Sequence, residues 1–153
     1  MCKFYADSML GKLSRYLRFL GFDTLYRTDE SIDEMLQISV DDNRNVLSRS
    51  QEVFQLCIKR EIITLLLTNI DISGQLREIK DTFSVDFVYP PLEMRCSVCN
   101  GDLKKKTKLD ILNRIPEGTA KEYDDFWECS KCFKIYWVGS HWEDIKKTIS
   151  ELQ

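Results

Sequence analysis

The stretch CKFYADSMLGKLSRYLRFLGFDTLYRT, Cys2 to Thr28, decides the fold. CKFYA is a short β-prone run, and a helix signal follows at once, with Ser8 as a cap-type residue and Leu10, Leu13, Leu17 and Leu20 on one helical face. Gly21 stands where a C′ residue belongs, and DTLYRT reads as a second strand. Strand, helix and strand in so short a span make a βαβ unit.

The alternation continues. SIDEMLQISV is a helix opened by Ser31 with Glu34 placed for a capping box. RNVLS is a strand, QEVFQLCIKR a helix, IITLLL a strand and SGQLREIKDTF a helix. Repeated βαβ units predict an α/β domain, a mainly parallel sheet with helices on both faces. At YPPLEM the periodicity stops, because Pro90 and Pro91 continue neither a helix nor a central strand. The expected division is residues 1–91 for the α/β domain and 92–153 for a second, smaller module.

The whole chain of 153 residues is 43% hydrophobic and 31% charged, the composition of a folded protein. Its net charge of −3 gives no global basic field. No apolar run is long enough to span a membrane, and the N-terminus lacks the features of a signal peptide, so a cytoplasmic protein is expected. In that compartment six cysteines point to metal rather than disulfides.

Cys96 and Cys99 in CSVCN, and Cys129 and Cys132 in CSKCF, are two identical Cys-x-x-Cys knuckles. Two such pairs complete a tetrahedral thiolate shell around zinc with no open position, which makes the ion structural. A disulfide or a single redox pair explains one motif and not both. His141, close after the second pair, is a less favoured fourth ligand, while Cys2 and Cys57 read as buried small hydrophobes.

Asp7 ends the first strand, and Asp29 and Glu30 follow the second. Strand ends of a parallel sheet converge on one edge, so these acids are candidates for holding Mg²⁺ or Mn²⁺. Helix caps are an equally weighted reading of both aspartates. Lys12, Arg15 and Arg18 recur at three-residue steps along one helix flank, a solvated face by default but suited to a phosphodiester backbone beside such a site. Lys104, Lys105 and Lys106 form a second cationic spot, and Tyr136, Trp137 and Trp142 read as core of the zinc module.

The blocks FYADSMLGKLSRYLRFLGFDTLY, CSVCNGDL, NRIP and FWECSKCFKIYWVGSHW resemble the Mut-seven C-terminal RNase domain family, a PIN-like nuclease fold fused to a four-cysteine zinc ribbon. The resemblance implies a ribonuclease whose strand-end carboxylates hold divalent ions against a scissile phosphate. It assigns the first acid to Asp7 and the second to Asp29. The family's third acid closes a Leu-Thr-Arg-Asp run, and here that run is Leu47, Ser48, Arg49, Ser50. Ser50 carries no charge for Mg²⁺, which leaves Glu52 or Asp71 as substitutes, while Arg49 is retained to meet a phosphate or pair with Asp7 or Asp29. Two functions are therefore expected in competition: a Mg- or Mn-dependent ribonuclease acting on RNA, including ribosomal or transfer RNA, and a non-catalytic RNA- or ribosome-binding adaptor. A protein-interaction module built on the ribbon is a third.

Overall fold

The computed structural model describes residues 1–153. Strands β1 (Phe4–Ala6), β2 (Thr24–Tyr26), β3 (Asn45–Ser48) and β4 (Thr64–Leu66) form a wholly parallel sheet in the order β2-β1-β3-β4. Helices α1 (Gly11–Phe19), α2 (Ile32–Asp41), α3 (Gln51–Lys59) and α4 (Ile72–Phe83) alternate with them. Because side chains alternate across a strand, the sheet feeds two cores. Phe4, Ala6 and Leu47 pack with Leu13 and Leu17 of α1 and Leu76 and Ile79 of α4. Tyr5 and Val46 pack on the other face with Met35 and Leu36 of α2 and Val53 and Cys57 of α3. The expected α/β fold, helices on both faces, is what the chain adopts.

Helix starts follow local chemistry, with one correction. The Ser31–Glu34 capping box forms as expected. The α1 start differs: Ser8 does not cap it, and the N-cap is Leu10 with no side-chain bond. The reason is a turn. The Leu10 N–H bonds the Asp7 carbonyl at 2.8 Å, the Tyr26 hydroxyl bonds the Ser8 carbonyl at 2.8 Å, and Ser8 is held before the helix begins. Gly21 takes the C′ role at φ +92, where a Cβ would lie 2.6 Å from the Glu93 carbonyl oxygen.

After α4 the chain builds an antiparallel three-stranded sheet, β5 (Leu103–Lys106), β6 (Phe126–Cys129) and β7 (Ile135–Trp137). Between β5 and β6 it inserts α5 (Lys108–Ile111), a 3-10 turn at Leu112–Arg114, and α6 (Glu117–Glu122). The last helix, α7 (Ser140–Ser150), returns to the parallel-sheet unit: Trp142, Ile145 and Ile149 are buried in the core that holds Phe4 and Leu17. Trp142 is thus not ribbon core, as expected from sequence; its ring lies 5.5 Å from Phe19 and 6.1 Å from Tyr89. No helix is long and apolar enough to cross a membrane.

Candidate functional site

The four sulfur atoms of Cys96, Cys99, Cys129 and Cys132 all lie within 4.8 Å of one another, with Cys96–Cys132 at 3.5 Å and Cys99–Cys129 at 3.4 Å. A zinc tetrahedron with Zn–S bonds of ~2.3 Å has sulfur–sulfur edges of ~3.8 Å, so the four thiols are compatible with a zinc ribbon. The knuckles repeat one backbone plan. The Cys96 N–H bonds the Gly101 carbonyl and the Asn100 N–H the Cys96 carbonyl; the Cys129 N–H bonds Lys134 and the Phe133 N–H bonds Cys129 in the same way. Asn100 (φ 67) and Phe133 (φ 63) occupy matching left-handed positions. For Phe133 that backbone is costly, and a paired knuckle is what requires it. His141 is exposed and stands outside the cysteine group.

The first knuckle is bolted to the parallel-sheet unit by a residue expected elsewhere. Arg18 is buried, its Nε donating to the Thr24 carbonyl at 2.9 Å and its terminal nitrogen to the Ser97 carbonyl at 2.8 Å and the Val98 carbonyl at 3.3 Å. Its burial removes it from the expected phosphodiester stripe. Side-chain spacing put it on the flank of Lys12 and Arg15, but the helix turns that end of the flank under the ribbon. Replacing Arg18 with Met should cost about 3–6 kcal/mol, because two buried carbonyls lose bonds from a charged donor at about 1.5–3 kcal/mol each. Denaturant midpoints of the zinc-loaded protein measure this.

Asp23 extends the joint, accepting from Arg44 at 2.7 Å and from the Asn100 amide at 2.7 Å. Burial alone would raise the Asp23 carboxyl, but bonds from Arg44 and Asn100 outweigh it and hold the group below its usual value. A depressed carboxyl contributes stability that is present above its unfolded value and lost as pH falls through the folded one. The stability gap between the native chain and Asp23→Asn should therefore be full at neutral pH and close below about pH 4. Unfolding curves for the two proteins across that range check it.

At the carboxyl edge of the parallel sheet, Asp7 accepts from the Ser48 hydroxyl at 2.7 Å through one oxygen and from the Ser8 N–H at 2.7 Å through the other. Ser48 is buried, and it in turn accepts from the Ser50 N–H at 3.0 Å. A buried hydroxyl at a strand end needs such partners, which is the signal by which Ser48 could have been singled out from sequence. Neither Asp7 nor Asp29 caps a helix. Ser50 does, accepting from the Val53 N–H, and so does Asp71, accepting from the Gly74 N–H at 2.8 Å. Asp29 is exposed after β2, whereas its neighbour Glu30 turns inward to bonds from Tyr5 and Arg27. Burial would raise Glu30, and those two donors bring it below its usual value.

Glu52 is exposed in the first turn of α3. Arg49 pairs with neither Asp7 nor Asp29; it lines a cavity of about 300 Å³ together with Lys12 and Asp71. The only group of three or more ligating side chains within reach of one ion is the cysteine set, so Asp7, Asp29, Glu52 and Asp71 share an edge of the sheet without closing on a common point. Lys12 and Arg15 are exposed. Of the lysine run on β5, Lys104 is exposed, Lys105 pairs with Asp125 at 2.8 Å, and Lys106 is half-buried.

No curated protein and no solved structure matches the chain. A family model described as the Mut7-C RNAse domain matches residues 2–149, taking in both the strand-end acids and the two cysteine knuckles. With nearly its whole length matched in this way, the chain belongs to the Mut7-C RNAse domain family.

Proposed function

We propose that the protein is a metal-dependent ribonuclease of PIN-like type with its hydrolytic centre at the carboxyl edge of the parallel sheet. The observation that carries the reading is the Asp7–Ser48–Ser50 chain of hydrogen bonds, which fixes a strand-end carboxylate in a chain of this RNase family. The donors on that edge are hard oxygens, the chemistry Mg²⁺ and Mn²⁺ take, and Asp7, Asp29 and either Glu52 or Asp71 would hold the ion. When bound, such an ion polarises a phosphate and acidifies a water. The chain's own contribution is orientation and charge. Ser48 and the Ser8 N–H fix both oxygens of Asp7, and Arg49 and Lys12, on the neighbouring cavity, offset phosphate charge. The four cysteines hold a structural zinc that takes no part in hydrolysis. The setting is cytoplasmic and the substrate RNA, with ribosomal and transfer RNA as the abundant candidates.

A second reading, a non-catalytic RNA- or ribosome-binding adaptor, is favoured by one specific observation. Ser50 and Asp71 are both engaged as helix caps, and the strand-end acids form no tight ligand group. Incubation of the zinc-loaded protein with end-labelled RNA separates the readings. Cleavage that requires added Mn²⁺ supports the nuclease, and salt-dependent binding without cleavage supports the adaptor.

A further inference from the structure

A groove of about 810 Å³ runs between α1, the ribbon and the start of α7, and none of the strand-end carboxylates lines it. Its walls carry Lys12 and Arg15 from α1 and Lys134 from the turn before β7. None of these three cations is in an ion pair, and all three are exposed. Between them stand half-buried rings of Tyr16, Tyr123 and Trp137, with Asp144 the one carboxylate among the lining residues. Lys134 stands over the Tyr136 ring at 5.3 Å, and cations without carboxylate partners set among aromatic rings match a ligand that alternates anionic groups with flat π-faces.

We infer that this groove binds single-stranded RNA, its phosphates on Lys12, Arg15 and Lys134 and its bases stacked on Tyr123 and Trp137. The inference rests on the ribonuclease reading for the choice of RNA and adds the strandedness of the substrate and the path it follows. Paired bases present no free faces, so a duplex cannot use the rings. The path is continuous: Lys12 and Tyr16 line both this groove and the cavity that holds Arg49 and Asp71. A strand seated on the ribbon therefore leads across α1 to the carboxyl edge of the sheet.

The test is fluorescence anisotropy of the zinc-loaded full chain with a labelled oligouridylate, the same-length RNA duplex, and polyglutamate as competitor, all without Mn²⁺ or Mg²⁺. The single strand should bind more tightly than the duplex, with a log–log salt slope of about −2 for three neutralised phosphates. Arg15→Ala and Lys134→Ala should each weaken binding and shallow that slope by roughly 0.7. Tyr123→Ala should weaken binding about 5- to 100-fold with the slope unchanged, while Lys59→Ala, on exposed α3 surface, should change nothing. Arg15 and Lys134 are exposed, so their variants report on binding even if an aromatic variant misfolds. Equal affinity for duplex, indifference to Arg15→Ala and Lys134→Ala, or binding of polyglutamate in preference to RNA would overturn the inference. Binding as described without cleavage on adding Mn²⁺ counts against the ribonuclease reading alone.

Discussion

Removing the metal, or replacing Cys129 with Ser, should unfold the ribbon and cost on the order of 10 kcal/mol, the scale of structural zinc binding. The reason lies in how little else holds the module. Its sheet has three short strands, and the Phe133 backbone is kept in a left-handed conformation that the knuckle alone requires. Gly101 sits so close behind Cys129 that a Cβ there would lie 2.7 Å from the sulfur, so the two knuckles are packed through the site itself. The Cys96 thiol, despite burial that would raise it, is drawn down to about 7 by the Tyr136 hydroxyl and by N–H groups of Cys99 and Val98, while burial and the neighbouring thiols push Cys99 and Cys132 up, so without a cation the cluster gives up its first proton readily and holds the others. Loss of the ribbon should then reach the parallel sheet, because Arg18 and Asn100 lose their partners across the joint. Treatment with a zinc chelator, followed by near-ultraviolet circular dichroism and hydrogen exchange, should show lost tertiary signal in β5 to β7 and raised exchange in α1 and β2. A ribbon that keeps its protection after complete zinc removal, measured by metal analysis, would overturn the assignment.

The fold was legible because its signals are periodic. Leu13 and Leu17 recur at helical spacing and fill the core as that spacing requires, and the Ser31–Glu34 box is a local motif that tertiary packing has no reason to alter. The cysteine centre was legible for the same reason: two identical spacings, read without knowledge of the fold. What sequence missed depends on contacts between distant segments. Arg18 shares its spacing with Lys12 and Arg15, and only the docking of residues near Ser97 on α1 makes it structural. Trp142 follows the ribbon in sequence but is buried on Phe19, a partner from the other end of the chain. The Asp7–Ser48 bond joins neighbouring strands β1 and β3, so it needs the strand order, which alternation of elements does not supply.

Asp7→Asn should lower any Mn²⁺-dependent RNA cleavage about 10²- to 10⁴-fold, the range for losing a positioned catalytic carboxylate, and should cost about 1–2 kcal/mol of stability, because one of its two donors loses its acceptor. Both Asp7 oxygens have donors, Ser48 and the Ser8 N–H, and the amide keeps the shape but gives up the charge and one acceptor. The companion variant is Ser50→Asp. Ser50 caps α3 in extended backbone, and aspartate is at least as good a cap, so the substitution puts an acid where the resemblance to the family leads one to expect it, without a cost in fold. Ser48 links Asp7 to the Ser50 backbone through two hydrogen bonds, so position 50 lies on the strand end next to Asp7. Like charges on adjoining strand ends repel unless a cation lies between them, so Ser50→Asp should tighten Mn²⁺ binding by roughly tenfold or more and raise cleavage with it. Manganese titration followed by paramagnetic broadening, and cleavage rates at saturating metal, give the two readouts. Tighter metal with unchanged, Asp7-dependent cleavage would mean that Glu52 or Asp71 already completes the site. Tighter metal with no cleavage in either protein would leave the adaptor reading in possession of the chain.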